Sequence, residues 1–269
     1  MQYQTYTPDP DLDAFVKCFW TLDADAVTEP SRQRIVPDGC MELIFHYGDL
    51  YRQYAADGSS WLQPRCFIYG QITNALEIAP SGITGIFAAR FHPAGLLPFI
   101  PVPVQQLADR AVALEEVFGP GGLALGSAIL QADTTPARIA ICTQFLRQRL
   151  GNKTATDLVL QSFVDLVWQL RGQGSVKEQA GQLQLNRRQL ERKCAQAIGL
   201  SPKQLARIAR MQHILMALQE QQFDNLTAVA YEHDYYDQAH FIRDFREFTG
   251  LSPRQCFGDS LQLSSLFRS

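Results

Sequence analysis

The stretch RRQLERKCAQAIGLSPKQ at 187–204 recurs, aligned without gaps, as QAHFIRDFREFTGLSPRQ at 238–255, 51 residues further along the chain. Both copies contain Gly-Leu-Ser-Pro near their ends. Both also carry apolar residues at three equivalent positions, which are Leu190, Cys194 and Ala197 in the first copy and Phe241, Phe245 and Phe248 in the second. A solenoid needs three or more repeats. Two copies therefore predict one small domain with two similar lobes.

Each copy has the pattern of a short helix, a tight turn and a second helix. In the first, Val176–Leu183 can form the leading helix, and Asn186 is a good N-cap for a helix from Arg187 to Ile198. In the second, Leu226–Asp234 leads and Asp237 can cap the following helix. The sequence thus predicts two helix-turn-helix units. Ser201-Pro202 has the cap and first-turn chemistry of a long helix joining them.

The second helix of each unit leaves Arg and Gln residues off its apolar stripe. Arg can read guanine and Gln can read adenine in the major groove of DNA. A single such helix face is more simply explained as solvated surface. Its repetition at a fixed spacing favours DNA, since two lobes on one rigid helix could enter successive major grooves about 34 Å apart.

A specific family resemblance lies in the second unit. The run Tyr235–Phe245, followed by Phe248–Pro253, resembles the signature of the AraC/XylS family of transcriptional regulators, and the resemblance covers about 175–257. It implies a seven-helix domain whose third and sixth helices enter the major groove of double-stranded DNA. The DNA-binding residues it implies are Arg187, Arg188, Glu191 and Arg192 in the first lobe and Gln238, Ala239, His240 and Arg243 in the second.

The sequence departs from the family pattern at four positions. Gln184 and Asp234 stand where each turn usually has Gly, so a positive φ there would be strained, although Asp tolerates it better than most residues. Ala239 replaces a common Ser and removes a polar contact. Cys194 replaces the usual Phe of the first core. These changes concern the affinity or rigidity of each lobe more than its fold.

The first half of the chain has a different pattern. From about 34 to 100, short apolar runs such as Met41–Tyr47 and Ile83–Phe91 alternate with turn residues, which predicts an antiparallel sheet or barrel. After roughly 104 the spacing becomes helical, as in Pro136–Leu150 and Ala155–Leu170. A short linker, Arg171–Ser175, follows.

The family resemblance implies an N-terminal cupin-like barrel that senses a small molecule, followed by dimerisation helices. Arg34–Phe45 and Ala89–Gly95 also resemble segments of a poorly characterised subgroup of these regulators. The predicted class is α+β: a cupin-like antiparallel β-barrel and helical connector, then an all-α double helix-turn-helix domain. The predicted regions are a sensor at 1–120, a connector at 121–172, a DNA-binding domain at 173–258 and a tail at 259–269.

Four residues are candidates for a ligand pocket in the barrel: Arg34, Glu42, His46 and Arg90. The alternative is that the charged residues are exposed on strands and that His46 is a satisfied structural residue. A cupin enzyme is the main rival for this half, but the barrel offers His46 and His92 with no HxH pair. We also find no nucleophile elbow, Walker loop or dinucleotide fingerprint. The prediction is therefore no catalytic residue, no metal and no cofactor.

Composition sets the remaining bounds. Hydrophobic residues make up 46% and charged residues 19%, as in globular proteins. No apolar run approaches 18 residues and the N-terminus lacks a signal pattern, which predicts a cytoplasmic protein with no membrane partner. Six scattered cysteines predict reduced thiols. The net charge is −3, yet 175–257 holds 11 Lys and Arg against 9 Asp and Glu, whereas 1–174 holds 12 against 17.

The expected partners are DNA, a small-molecule effector, RNA polymerase and a second copy of the chain. For the barrel, the alternative to a ligand is contact with another protein. The helices from about 136 to 170 could support a homodimer across a two-fold axis, or their apolar stripes could pack within the chain. The residues concerned are Leu146, Leu150, Phe163, Leu166 and Leu170.

Overall fold

The computed structural model describes residues 1–26, 31–150, 158–219, 226–253 and 255. Cys256 and the 259–269 tail lie outside the described residues. The strands are β1 (Gln2–Tyr6), β2 (Val16–Ala24), β3 (Gln33–Ile35), β4 (Met41–His46), β5 (Tyr51–Tyr54), β6 (Ser60–Leu62), β7 (Cys66–Tyr69), β8 (Leu76–Pro80), β9 (Thr84–Phe91) and β10 (Ala111–Ala113). The α-helices are α1 (Leu114–Phe118), α2 (Pro120–Gln131), α3 (Thr135–Leu150), α4 (Leu158–Gln169), α5 (Val176–Gln182), α6 (Arg187–Ala197), α7 (Pro202–Gln219), α8 (Leu226–Glu232) and α9 (Gln238–Thr249).

The strands form two antiparallel sheets. One has the order β1-β2-β9-β4-β7-β10 and the other β3-β8-β5-β6. Within the described residues no strand is shared between them, so the predicted barrel is loose rather than closed. The predicted class, an antiparallel β domain followed by helices, is confirmed.

The six-stranded sheet is buried on both faces. Successive side chains of a strand point to opposite faces, and its central strands carry apolar residues at both sets of positions. One face, with Phe19, Leu43 and Phe87, packs against α2 and α3 through Leu125 and Leu146. The opposite face carries Trp20, Leu22 and Ile86 toward the four-stranded sheet. This second face is available to line a cavity.

Helices α4 to α9 share one hydrophobic core. Its members include Leu190 and Cys194 of α6 and Phe241 and Phe245 of α9, so both predicted stripes are buried. Phe163 of α4 belongs to the same core, whereas Leu146 of α3 is buried against the six-stranded sheet. The connector helices thus divide their packing between the two parts of the chain. The homodimer stays a prediction.

The predicted caps form in both lobes. Asn186 accepts a hydrogen bond from the backbone N–H of Gln189, whose side chain bonds back to Asn186. Asp237 accepts from the backbone N–H of His240 at 2.7 Å. Such caps satisfy N–H groups that the helix leaves unpaired. They fix where each candidate DNA-reading helix begins.

Both turns adopt the strained conformation expected of them. Gln184 has φ 55° and Asp234 has φ 56°, in the left-handed region. Both side chains are exposed. A non-glycine residue in this conformation costs about 1 kcal/mol or more, so each lobe carries a local strain.

We expect Gln184→Gly to raise the free energy of unfolding by about 0.5 to 1 kcal/mol, because Gly adopts a positive φ without steric conflict. Urea unfolding followed by circular dichroism measures the change. Asp234→Gly should give a smaller gain, since Asp tolerates the left-handed region. Gln184→Ala is the matched control and should give no gain. Equal stabilisation by Ala and Gly would contradict the strain.

Among the described helices, none combines the length and the apolar character needed to cross a membrane.

Candidate DNA interface and effector cavity

The second helix of each unit exposes most of the residues predicted to contact DNA. On α6, Arg188 and Arg192 are exposed. On α9, Gln238, Ala239 and Arg243 are exposed. The same helices bury their apolar stripes in the shared core, so burial alone fixes which face of each helix points outward.

Three of the implied DNA-binding residues are engaged within the protein. Arg187 forms an exposed ion pair with Glu191 at 2.8 Å, one turn along α6. The His240 ring stands edge to face against Tyr235, with centroids 5.2 Å apart. DNA contacts by these residues would have to compete with these interactions.

A buried acid on α9 locks the second lobe to the connecting helix α7. Asp244 is 5% exposed and forms an ion pair with Arg207 of α7 at 2.9 Å. Arg207 also pairs with Glu247 at 2.7 Å. Asp244 was not predicted as a functional residue, although its position three residues after Phe241 places it on the buried side of the helix. These pairs hold α9 in a fixed orientation on α7.

A cavity lies between the two sheets of the N-terminal domain. Its volume is about 60 Å³, and its mouth is open to solvent. The six-stranded sheet contributes Trp20, Leu22, Glu42, Ile44, His46, Tyr69, Ile86 and Arg90 to its lining. Across from them stand Gln33, Ile35, Tyr51, Leu76 and Ile78.

Arg90 carries the positive charge of this cavity. It is 3% exposed and pairs with Asp38 and, at 3.1 Å, with Glu42, its direct cross-strand neighbour. The indole nitrogen of Trp20 also donates to Glu42, at 3.0 Å. Two carboxyl groups share one cation here. Burial raises the pKa of Glu42 to about 8, while the Trp20 hydrogen bond opposes the rise. Burial therefore favours the protonated form of Glu42, which would leave Asp38 as the charged partner of Arg90.

The structure brings three of the four predicted ligand residues to this cavity: Glu42, His46 and Arg90. Arg34 points elsewhere and pairs with Glu77 at 2.7 Å, with 30% of its side chain exposed. Asp38 was missed because it stands in Pro37-Asp38-Gly39, where turn chemistry was sufficient to explain an Asp.

The loop at 36–40 connects the cavity to the helical domain. Asp38 and Cys40 line the cavity. The carbonyl oxygen of Pro37, on the same loop, accepts a hydrogen bond from Gln212 of α7 at 2.7 Å. Gly39 has φ 79°, and a Cβ there would lie 3.0 Å from Trp168 of α4. One short loop therefore touches both the cavity and the helix that joins the two lobes.

Two helix-turn-helix lobes with exposed cationic helix faces define a DNA-binding protein. Residues 179–258 match a family model described as a helix-turn-helix domain. The predicted AraC-type helix-turn-helix domain at this place in the chain is confirmed. Residues 4–113 match a family model described as a domain of unknown function, DUF6597.

Among solved structures, the chain matches ToxT from Vibrio cholerae at 10% identity and a TM-score of 0.46, covering 91% of this chain and 99% of that one. ToxT from strain O395 gives 9% and 0.47, covering 92% and 98%. Unsaturated fatty acid bound ToxT from strain SCE256 gives 11% and 0.39, covering 87% and 92%. No curated protein sequence matches the chain significantly. Identities this low transfer no ligand and no residue role.

Proposed function

We propose that the chain is a sequence-specific transcriptional regulator whose affinity for DNA is set by a small molecule bound between the two sheets. The observation that carries the proposal is the loop at 36–40, since it lines the cavity with Asp38 and holds α7 through Pro37. A ligand that rearranges Asp38 would bias the position of α7. It changes DNA affinity only by its differential binding to the two arrangements.

The proposal assigns no catalytic role to any residue and places the protein in the cytoplasm, with access to DNA. Contacts with RNA polymerase and a homodimer stay predictions. The second candidate function is a regulator whose sheet domain binds another protein and no ligand. The buried ion pair at one end of the cavity favours the ligand. The cavity has to widen to admit it, because its volume is about 60 Å³ and a cavity that binds benzene measures about 150 Å³.

Mapping of the bound DNA across the genome tests the first part of the proposal. We expect discrete sites that share one motif, which spans two adjacent major grooves so that α6 and α9 can each read part of it. Binding spread evenly along the genome, without a shared motif, would contradict sequence-specific regulation.

We expect filling of the cavity to change operator affinity through Gln212. Ile44→Trp places a large ring inside the cavity and should shift the operator Kd of the full chain by about fivefold or more, a coupling of about 1 kcal/mol. In a Gln212→Met background, which lacks the donor to Pro37, the shift should fall below twofold. Fluorescence anisotropy on operator DNA at one salt concentration gives all four Kd values.

Two controls accompany this comparison of the wild type, the two single variants and their combination. Ile83→Trp adds the same ring at a side chain that is 59% exposed, and it should leave the Kd unchanged. Gln173→Met removes a hydrogen bond to Glu232 inside the helical domain, and the shift should persist in that background. No shift by Ile44→Trp would contradict effector control. A shift that survives Gln212→Met would exclude the loop as its route.

A further inference from the structure

The cavity has a polar group at each end and an apolar middle. Glu42, Ile44 and His46 point into it from alternate positions of β4. Four residues of strand separate the Cα atoms of Glu42 and His46 by about 13 Å. On the neighbouring β9, Arg90 is opposite Glu42 and Ile86 is opposite His46. A ligand inside the cavity therefore meets the ion-pair cluster at one end and an imidazole at the other.

The imidazole of His46 is held so that its edge is available for polar contacts. Its ring stacks with Tyr51 and with Phe67, at centroid distances of 5.6 Å and with planes within 25° of parallel. The residue is 1% exposed, and among the described residues neither ring nitrogen has a partner within strict hydrogen-bonding geometry. The nearest polar influence inside the cavity is the buried Gln63 side chain, which acts on the pKa of the ring. A buried polar atom without a partner costs about 1 to 3 kcal/mol. This end of the cavity is thus suited to a ligand group that hydrogen-bonds.

The group that binds His46 has to be uncharged. Burial lowers the pKa of His46 to about 4; the Gln63 side chain opposes the shift through a hydrogen-bonding interaction, and the charge of Arg65 adds a smaller lowering. The ring is therefore neutral at physiological pH, with one donor and one acceptor nitrogen. A carboxylate or an ammonium beside it would be buried against a neutral ring, which is unfavourable. A hydroxyl group both donates and accepts, so it satisfies whichever nitrogen faces it.

The opposite end also disfavours a charged ligand. Asp38 and Glu42 both contact Arg90 and already occupy its guanidinium group. An anion would have to displace Asp38 from Arg90 and bury it unpaired, and a cation would meet the repulsion of Arg90. Between the ends, Ile44, Ile78 and Ile86 offer apolar contacts to a flat body lying between the sheets.

We propose that the effector is an uncharged molecule with a flat apolar body and a hydroxyl group that hydrogen-bonds His46. This inference rests on the proposed function, because it names the ligand class of the same cavity. The charged alternatives, carboxylates and amines of the same size, become outcomes of the test.

Calorimetric titration of the full chain with three matched probes tests the ligand class. The probes are 4-methylphenol, 4-methylbenzoate and 4-methylbenzylamine, which share a ring and differ in charge at neutral pH. We expect the phenol to bind at least tenfold more tightly than either charged probe. Tighter binding of the benzoate or the amine, or no detectable binding of the phenol at millimolar concentration, would overturn the proposal.

His46→Phe tests the contact itself, because Phe preserves the stacking with Tyr51 and Phe67 and removes both nitrogens. We expect it to weaken 4-methylphenol about tenfold and to leave toluene binding within twofold of the wild type. Retained toluene binding also shows that the variant is folded around its cavity. The matched control, His92→Phe, lies outside the cavity and should bind the phenol as the wild type does. Unchanged phenol affinity in His46→Phe would overturn the proposal.

Failure of this inference is distinguishable from failure of the proposed function. A benzoate or amine that binds and shifts operator affinity overturns the uncharged ligand and supports effector control. If the phenol does not bind but Ile44→Trp shifts the operator Kd, the uncharged ligand class is likewise overturned and effector control is supported. Phenol binding that leaves operator affinity unchanged supports the ligand class and contradicts effector control.

Discussion

Simultaneous replacement of Arg188, Arg192, Gln238 and Arg243 by Ala should reduce operator affinity about 1000-fold or more without unfolding the protein. These side chains are exposed on the outward faces of α6 and α9. Each good contact with a base edge contributes about 1 to 3 kcal/mol. Because none of the four is part of the hydrophobic core, the thermal unfolding midpoint should stay close to the wild-type value.

Anisotropy titrations with operator and scrambled DNA at several salt concentrations measure the effect. Ala at Lys193, Lys203 and Arg246 should instead weaken both DNAs alike and flatten the salt dependence, as expected for phosphate contacts. Arg110→Ala removes an exposed cation from the sheet domain and is the matched control, with no expected effect on the Kd. Operator preference retained by the quadruple variant would contradict the assignment of base contacts to these residues.

The helical domain could be predicted well because its signals are local. Asn186 and Asp237 bond to N–H groups three residues away, and the stripes through Leu190 and Phe241 repeat at helical spacing. Each signal depends on neighbours within one or two turns. The same locality predicted the strained turns at Gln184 and Asp234.

The cavity could be predicted only in part because it depends on pairing between distant strands. Glu42 and Arg90 are 48 residues apart, and the strand register brings them together. The residues next to them in the sequence did not distinguish them from Arg34, which pairs with Glu77 because of the register between β3 and β8. Likewise, the contact from Pro37 to Gln212 spans 175 residues. The spacing of apolar residues along the sequence cannot predict a contact between residues so far apart.

The buried cluster at the end of the cavity should make Arg90 far more important for stability than Glu42. Arg90→Met leaves Asp38 buried without a counter-ion, and breaking a buried pair in this way costs about 3 to 5 kcal/mol. Glu42→Gln should cost about 1 kcal/mol or less at pH 7, because the raised pKa of Glu42 already keeps it neutral and Gln has nearly the same shape. Urea unfolding of the full chain, followed by Trp fluorescence, compares the two.

A double variant and a pH series make this prediction sharper. Adding Asp38→Asn to Arg90→Met removes the unpaired charge and should recover at least half of the lost stability, whereas adding Glu42→Gln should recover little. The pKa of Glu42 is higher in the folded state than in the unfolded chain. The folded state therefore binds the extra proton, and the contribution of Glu42 to the free energy of unfolding should fall as pH rises from about 4.5 through about 8. The difference between the wild type and Glu42→Gln at each pH isolates that contribution. Glu42→Gln should flatten that slope. A rescue of Arg90→Met by Glu42→Gln rather than by Asp38→Asn would show that Glu42 carries the charge and that the proton lies on Asp38.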